Sequence, residues 1–168
     1  MADRRHPRVI NLSETPLVDH AHGERYQARF GTLAKELGAR KLGYRLVVLP
    51  PGKRAWPRHA HHVNEELFII LSGSGTAVIG NEKVPVREDD VIAAPPDTDE
   101  AHQLINDSDA DLRYLAVSTM EEPDVVSYPD SGKLGVIAGS PPGGDKEQRT
   151  VFHFTRRSDD LGYWHGEE

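Results

Sequence analysis

The chain has 168 residues, with 20 Lys and Arg against 27 Asp and Glu, a net charge of −7, nine His and no Cys. One domain with tails fits that length, the acidic balance argues against a nucleic-acid partner, and the missing thiols exclude disulfides, zinc–thiolate sites and cysteine nucleophiles. The longest apolar run, Leu67 to Leu71, is too short to cross a bilayer, and Met1 to Asn11 lacks the apolar stretch of a secretory signal, so the expectation is a cytoplasmic protein with no membrane partner.

In chain order, Met1 to Thr15 reads as a loose arm, with Arg4, Arg5 and Arg8 around His6 and Pro7. Thr32 to Leu37 is the one helical candidate, closed by Gly38. From Lys41 the pattern turns to strand. Gly43 to Leu49 is stopped by Pro50-Pro51-Gly52, and Glu66 to Leu71 by Ser72-Gly73-Ser74-Gly75. Thr76 to Ile79 and Lys83 to Val86 flank a Gly80-Asn81 hairpin turn. Val91 to Ala94, Ala101 to Ile105 and Leu112 to Ser118 follow, separated by Pro95-Pro96 and Asn106-Asp107-Ser108-Asp109. Beyond the turn Glu121-Glu122-Pro123-Asp124, short strands are expected at Val125 to Tyr128, Lys133 to Ile137 and Thr150 to Thr155, with Ser140 to Asp145 as a loop.

Strands at roughly 8–12-residue spacing, punctuated by Gly, Pro and Asp, indicate an all-β sandwich or barrel. No strand–helix alternation supports a doubly wound fold. The division expected is an N-terminal arm with a short helix or edge strand over 1–40, a barrel core over 41–120, and a C-terminal extension packing on the barrel over 121–168. Gly132-Lys133 is not a phosphate loop, because Ser127 stands where that loop needs Gly.

The chemistry concentrates in Arg58-His59-Ala60-His61-His62-Val63-Asn64-Glu65-Glu66. In an extended strand residues i and i+2 share a face, so His59 and His61 project together and His62 points away. Glu66 lies past a short turn and can reach back from the next strand, and His102 can join from a later one. Three imidazoles and a carboxylate suit one borderline divalent ion: Mn, Fe, Co, Ni, Cu or Zn.

The sequence Gly52, His59, His61, Glu66, Gly73 resembles the first motif of the cupins, G-x5-H-x-H-x3,4-E-x6-G, with one extra residue after Gly52. The second motif, G-x5-P-x-G-x2-H-x3-N, is met by Asp89 and Asp97 in the two Gly positions, Pro95, a late His102, and Asn106. Asp adopts the turn conformations that Gly supplies there. Leu115 to Met120 and Tyr128 to Lys133 look like a bacterial group of single-domain cupins. The resemblance implies a double-stranded β-helix, the jelly-roll barrel, with a metal held by His59, His61, Glu66 and His102, and a homodimer. It leaves the reaction open, since one barrel hosts many chemistries.

Glu66 is preferred to Glu65 as ligand because it shares strand parity with Phe68 and Ile70. His62 and Glu65 are the titratable groups nearest in sequence and are the candidate catalytic residues. Arg45 and Arg58 read as surface charges, with bidentate recognition of an anionic substrate as the alternative. Tyr114 reads as core, Gln103 as facing away from His102, and Tyr163-Trp164 as packing the tail on the barrel or a partner. The expected function is a metal-dependent enzyme on a small organic acid, carbonyl or sugar-like substrate, of isomerase, decarboxylase or dioxygenase type. A non-catalytic small-molecule binding or sensing module is the alternative.

Overall fold

The computed structural model describes residues 6–96, 100–141 and 143–167. Its strands are β1 (Val18–His22), β2 (Tyr26–Thr32), β3 (Leu42–Leu49), β4 (Ala60–His61), β5 (Glu66–Ser72), β6 (Ser74–Ile79) and β7 (Glu82–Arg87). Then come β8 (Val91–Ala94), β9 (His102–Ile105), β10 (Leu112–Thr119), β11 (Asp124–Tyr128), β12 (Lys133–Ala138) and β13 (Val151–Arg156). A single turn of helix, α1 (Ala34–Leu37), ends on Gly38, whose φ of 72° is the left-handed cap conformation.

The strands pair antiparallel throughout. One sheet has the order β1-β2-β3-β10-β5-β8. The other wall consists of β7-β6-β9 and β4-β11-β12-β13. His59 and His102 stitch these two pieces together, each amide donating to the other's carbonyl at 3.1 and 2.8 Å. The two walls enclose a core of Val47, Leu49, Phe68, Ile70, Ile92, Leu104, Leu112 and Tyr114. This is the all-β, double-stranded β-helix that turn spacing and motif imply.

A second, smaller cluster lies on the outer face of β3, where Leu46 and Val48 pack with Leu33, Ile10 and Leu12. Both faces of β3 are therefore covered, and its sequence shows no apolar–polar alternation. The strand pair β1–β2 extends the first sheet inside the span expected to hold an arm with a short helix or edge strand. β1 is exposed at every residue and polar at three of five, so its pairing rather than its pattern makes it a strand.

Two motif positions have conformations that explain their residues. Asp89 has φ 73°, a left-handed value otherwise confined to Gly among the described residues, so Asp does here what the motif's Gly does elsewhere. Gly73, at φ 86°, passes so close to β10 that a Cβ would lie 2.5 Å from the Asp111 carbonyl oxygen. Asp97 lies outside the described residues. Tyr163 and Trp164 do not pack on the barrel: they contact each other edge to face and stay 87% and 73% exposed. No helix among the described residues is long and apolar enough to cross a membrane.

Candidate metal centre

The centre forms where β4, β5 and β9 meet. Strand geometry sends His59 and His61 to the same side, while Ala60 between them is buried on the other. The turn after β4 is held by Asn64, which is 1% exposed. Its amide donates to Glu121 O and Asp124 Oδ2, and its carbonyl accepts from Glu121 N and Thr119 Oγ1. That clamp aims Glu66 into the barrel, in step with Phe68 and Ile70. His102 opens β9 opposite His59, to which its backbone is bonded.

One oxygen, Glu66 Oε2, lies 2.9 Å from His102 Nε2, 3.5 Å from His61 Nε2 and 3.8 Å from His59 Nε2. The donor atoms of His59, His61 and Glu66 all fall within 4.8 Å of one another. His102 adjoins this trio through its hydrogen bond to Glu66. Side-chain exposure of 13% at His59 and 17% at Glu66 leaves the centre reachable from solvent.

The tautomers of His59 and His61 are set for ligation. His59 Nδ1 lies 2.8 Å from the Pro57 carbonyl, which only accepts, so Nδ1 carries the proton and Nε2 presents a lone pair inward. His61 Nδ1 donates to Asp124 Oδ2 at 2.6 Å, which likewise frees its Nε2. Burial, the neighbouring His102 and His61 hold the His59 imidazole down to about 4, against the pull of Glu66 and the Pro57 carbonyl, so it is neutral at physiological pH. Burial opposes charge on Glu66, but the His102 hydrogen bond and the three imidazoles win and hold it at about 2. Burial likewise opposes charge on His61, yet Asp124 and Glu66 together raise its pKa above the usual imidazole value. Positive charge is thus favoured between the two carboxylates, and a divalent ion, if bound, would take the place of that proton. Imidazole nitrogens and a firmly ionised carboxylate at one point fit a borderline divalent metal.

Asp124 has no counterpart in the sequence reading, which placed it in a turn. It starts β11, is fully buried, and accepts from His61 Nδ1, Asn64 Nδ2 and the Val63 amide. Burial raises its pKa less than these donors lower it, so the carboxylate is ionised. Tyr128, also on β11, lays its ring against His59 with centroids 6.0 Å apart. An acid one residue beyond a Pro carries no periodic signal, so only the pairing of β11 with β4 reveals it.

The two candidate catalytic groups lie elsewhere. His62 is exposed and hydrogen-bonds Ser127 Oγ at 2.7 Å on the outer side of β4. Glu65 is exposed, and its backbone is bonded to Thr119. Neither is brought to the His–Glu cluster. Gln103 faces away from the centre but is buried, bonding the Trp56 carbonyl and Arg54. Arg58 is held by Asp130 and the Gly80 carbonyl. Arg45 is not the surface charge expected: it stands in register with Ala116 on the inner face of the sheet, level with Val47 and Leu49.

The family model of the cupin domain matches residues 45–118. The structure superposes on a candidate sugar phosphate isomerase of Acidithiobacillus ferrooxidans with a TM-score of 0.77, over 93% of this chain and 96% of that one, at 24% identity. At that identity the likeness is one of fold. An uncharacterized protein of Methanocaldococcus jannaschii is 34% identical over 71 residues, covering 42% of this chain and 54% of that protein. An oxalate-binding protein of Thermotoga maritima is 35% identical over 69 residues, covering 41% and 54%. The chain spans about half the length of the curated relatives it matches. The barrel topology, the imidazole pair His59 and His61 and the matched span agree: residues 45–118 match the cupin domain, and the fold is that of a cupin barrel.

Proposed function

We propose that the protein is a metal-dependent enzyme acting on a small organic acid, carbonyl or sugar-like compound, by chemistry of the isomerase, decarboxylase or dioxygenase type. The observation that carries this is the convergence of the His59, His61 and Glu66 donor atoms within 4.8 Å inside the barrel. His59, His61, Glu66 and His102 would hold the ion. When bound, a divalent Mn, Fe, Co, Ni, Cu or Zn ion supplies a Lewis acid and a template for a chelating oxygen ligand.

The chain's own residues supply the rest. Phe68 and Tyr114, in edge-to-face contact at 6.1 Å, close the floor of the site against water. Burial first, then Asp124 and Glu66, raise the Tyr128 pKa, so its hydroxyl keeps its proton and serves as a donor. The oxalate-binding relative supports a small acid as the ligand class.

A second reading, a binding or sensing module without turnover, is favoured by one observation: the exposed His62 and Glu65 offer the site no proton carrier. Either protein would work as a cytoplasmic homodimer, a state that sedimentation measures. The deciding experiment loads the purified protein with each metal and measures ion content. Keto acids, hydroxy acids, diketones and sugar phosphates are then offered with and without oxygen, and products are followed by mass spectrometry. Metal-dependent product supports the enzyme. Saturable binding with every ligand recovered unchanged supports the module. Failure to take up any of the six metals overturns both.

A further inference from the structure

Arg45 projects from the inner face of β3, level with Val47 and Leu49, and has no hydrogen-bond acceptor among the described residues. It sits on β3, in register with Ala116 on β10 and Thr32 on β2. Its guanidinium lies 5.8 Å from the ring centroids of both Phe30 and Trp56. Those two rings stack parallel, 4.8 Å apart at 5°, and His20 leans on both at the rim. From the C-terminal extension Gly143, at φ 84°, comes so close that a Cβ there would collide with Arg45 Nη2. Among the described residues the guanidinium forms no hydrogen bond and no ion pair. Arg29, Arg54 and Arg58, by contrast, each bond a side-chain oxygen.

A guanidinium cannot shed its charge, and its five donors need acceptors. Half-buried beside aromatic rings without them, its donors stay open to solvent and to an anion that can complete them. The aromatic rings border the cation but accept none of its N–H bonds. Arg45 also looks toward the metal centre. Glu66 pairs with Ser118 on β10, and Arg45 with Ala116 on the far side of the same strand. The two side chains thus enter from strands two apart, roughly 10 Å across the sheet, and displaced by about 7 Å along it.

We infer that Arg45, walled by Trp56 and Phe30, is an anion-binding subsite that takes the carboxylate or phosphate at one end of a small molecule whose other end chelates the metal. The inference rests on the proposed metal centre for that second end. It narrows the ligand class to hydroxy or keto acids, or sugar-like compounds, that carry a further anionic group. Trp56 is in contact with the guanidinium, so it reports occupancy directly.

The test uses three compounds with one metal-chelating head: glycerate, malate and 3-phosphoglycerate. They end in a hydroxyl, a carboxylate and a phosphate, so the last two separate the sources of the anion. Binding to the Co-loaded full chain is followed by calorimetry and by the cobalt spectrum. Trp56 fluorescence is read in a Trp164→Phe background, in metal-free protein titrated with inorganic phosphate. Malate or 3-phosphoglycerate should bind about 10-fold or more tighter than glycerate, the gain of one charge-assisted bidentate pair. Arg45→Met should cut that preference to within about 3-fold, leave glycerate unaffected and abolish the phosphate response, while Arg45→Lys restores part of it. Gly143→Ala, which displaces the guanidinium without removing it, should weaken the same response. Equal affinity for the three compounds together with a silent Trp56 overturns the subsite, even if the cobalt spectrum shifts and the metal centre stands. A phosphate response that Arg45→Met removes, in a protein that takes up no metal, overturns the metal centre and leaves the anion subsite in place.

Discussion

His61 and Asp124 are joined by a 2.6 Å hydrogen bond from imidazole Nδ1 to carboxylate Oδ2, across the seam between β4 and β11. The bond fixes the His61 tautomer and makes the C-terminal extension part of the metal centre. Removing the carboxylate frees the ring to rotate and strands two other donors, Asn64 Nδ2 and the Val63 amide. Asp124→Ala should therefore weaken metal affinity about 10–100-fold, the cost typical of losing a histidine's orienting partner. Competition with a chelator of known affinity measures this. Asp124→Asn keeps an acceptor oxygen but not the charge, and should fall between. Wild-type affinity in Asp124→Ala would remove the carboxylate from the account of the site.

Glu66 and Glu65 are neighbours with opposite fates. Glu66 Oε2 faces three imidazole nitrogens, whereas Glu65 is exposed. Glu66→Gln removes the anion and should cut metal affinity by about 10-fold or more, judged by the losses that even indirect partners produce. Glu65→Gln should leave affinity within a factor of about 3, as expected of an exposed group. The reverse ranking would move the motif by one residue.

The parts of this molecule differ in how plainly the sequence displays them, and the reasons are physical. Strands between strong punctuators were legible almost to the residue, as Val91–Ala94 shows between Asp89-Asp90 and Pro95-Pro96. The i, i+2 relation of His59 and His61 needs only the strand period, so the core of the site was legible too. β1 was not, because an exposed polar edge strand has no apolar face to betray it. β4 has two residues, fewer than any pattern requires. Arg45 was misplaced because both faces of β3 are buried, so Leu46 and Val48 mask the parity that Val47 and Leu49 share with it. Asp124 and Asn64 gain their roles only when β11 closes on β4, a contact about 60 residues apart in sequence.

Asn106, fully buried at the end of β9, is a stability element. Its amide donates to the carbonyls of Leu49 and Ala110, both at 2.7 Å, and its own carbonyl accepts from Ser108 N and Oγ. It thereby ties the β9–β10 turn to the end of β3. Asn106→Ala leaves the buried Leu49 carbonyl without this donor, while the exposed Ala110 carbonyl can turn to water, and should cost about 1–3 kcal/mol. The check is a urea unfolding midpoint on metal-free protein. A shift within experimental error would mean that water replaces all four bonds.

The acid response follows from His59 and Glu66. The folded state holds His59 near 4, chiefly through burial, whereas an imidazole ordinarily titrates at 6.5. Below 6.5 the unfolded chain therefore takes a proton that the folded protein refuses, and stability falls as the pH drops toward 4. The full difference at this one group is about 3 kcal/mol. Glu66 acts in a lower window: its carboxylate is held near 2 against an ordinary 4.5, so its contribution is present above 4.5 and is lost as the pH falls toward 2. His61, raised rather than lowered, contributes below 6.5 and loses that contribution as the pH rises through its folded value, so it adds no slope in the acid windows. Metal-free protein should therefore lose stability in two acid stages, and His59→Gln should flatten the first, between 6.5 and 4, while leaving the second. Bound metal steepens the acid loss, because protons compete with the ion for the imidazoles. Urea midpoints at half-unit intervals from pH 2 to pH 8 for the metal-free protein, and over the upper part of that range with metal, give the curves. An unchanged slope in His59→Gln between pH 6.5 and 4 would show that this histidine takes its proton as readily in the fold as out of it. The inward lone pair on Nε2 would then not be the state that meets the ion.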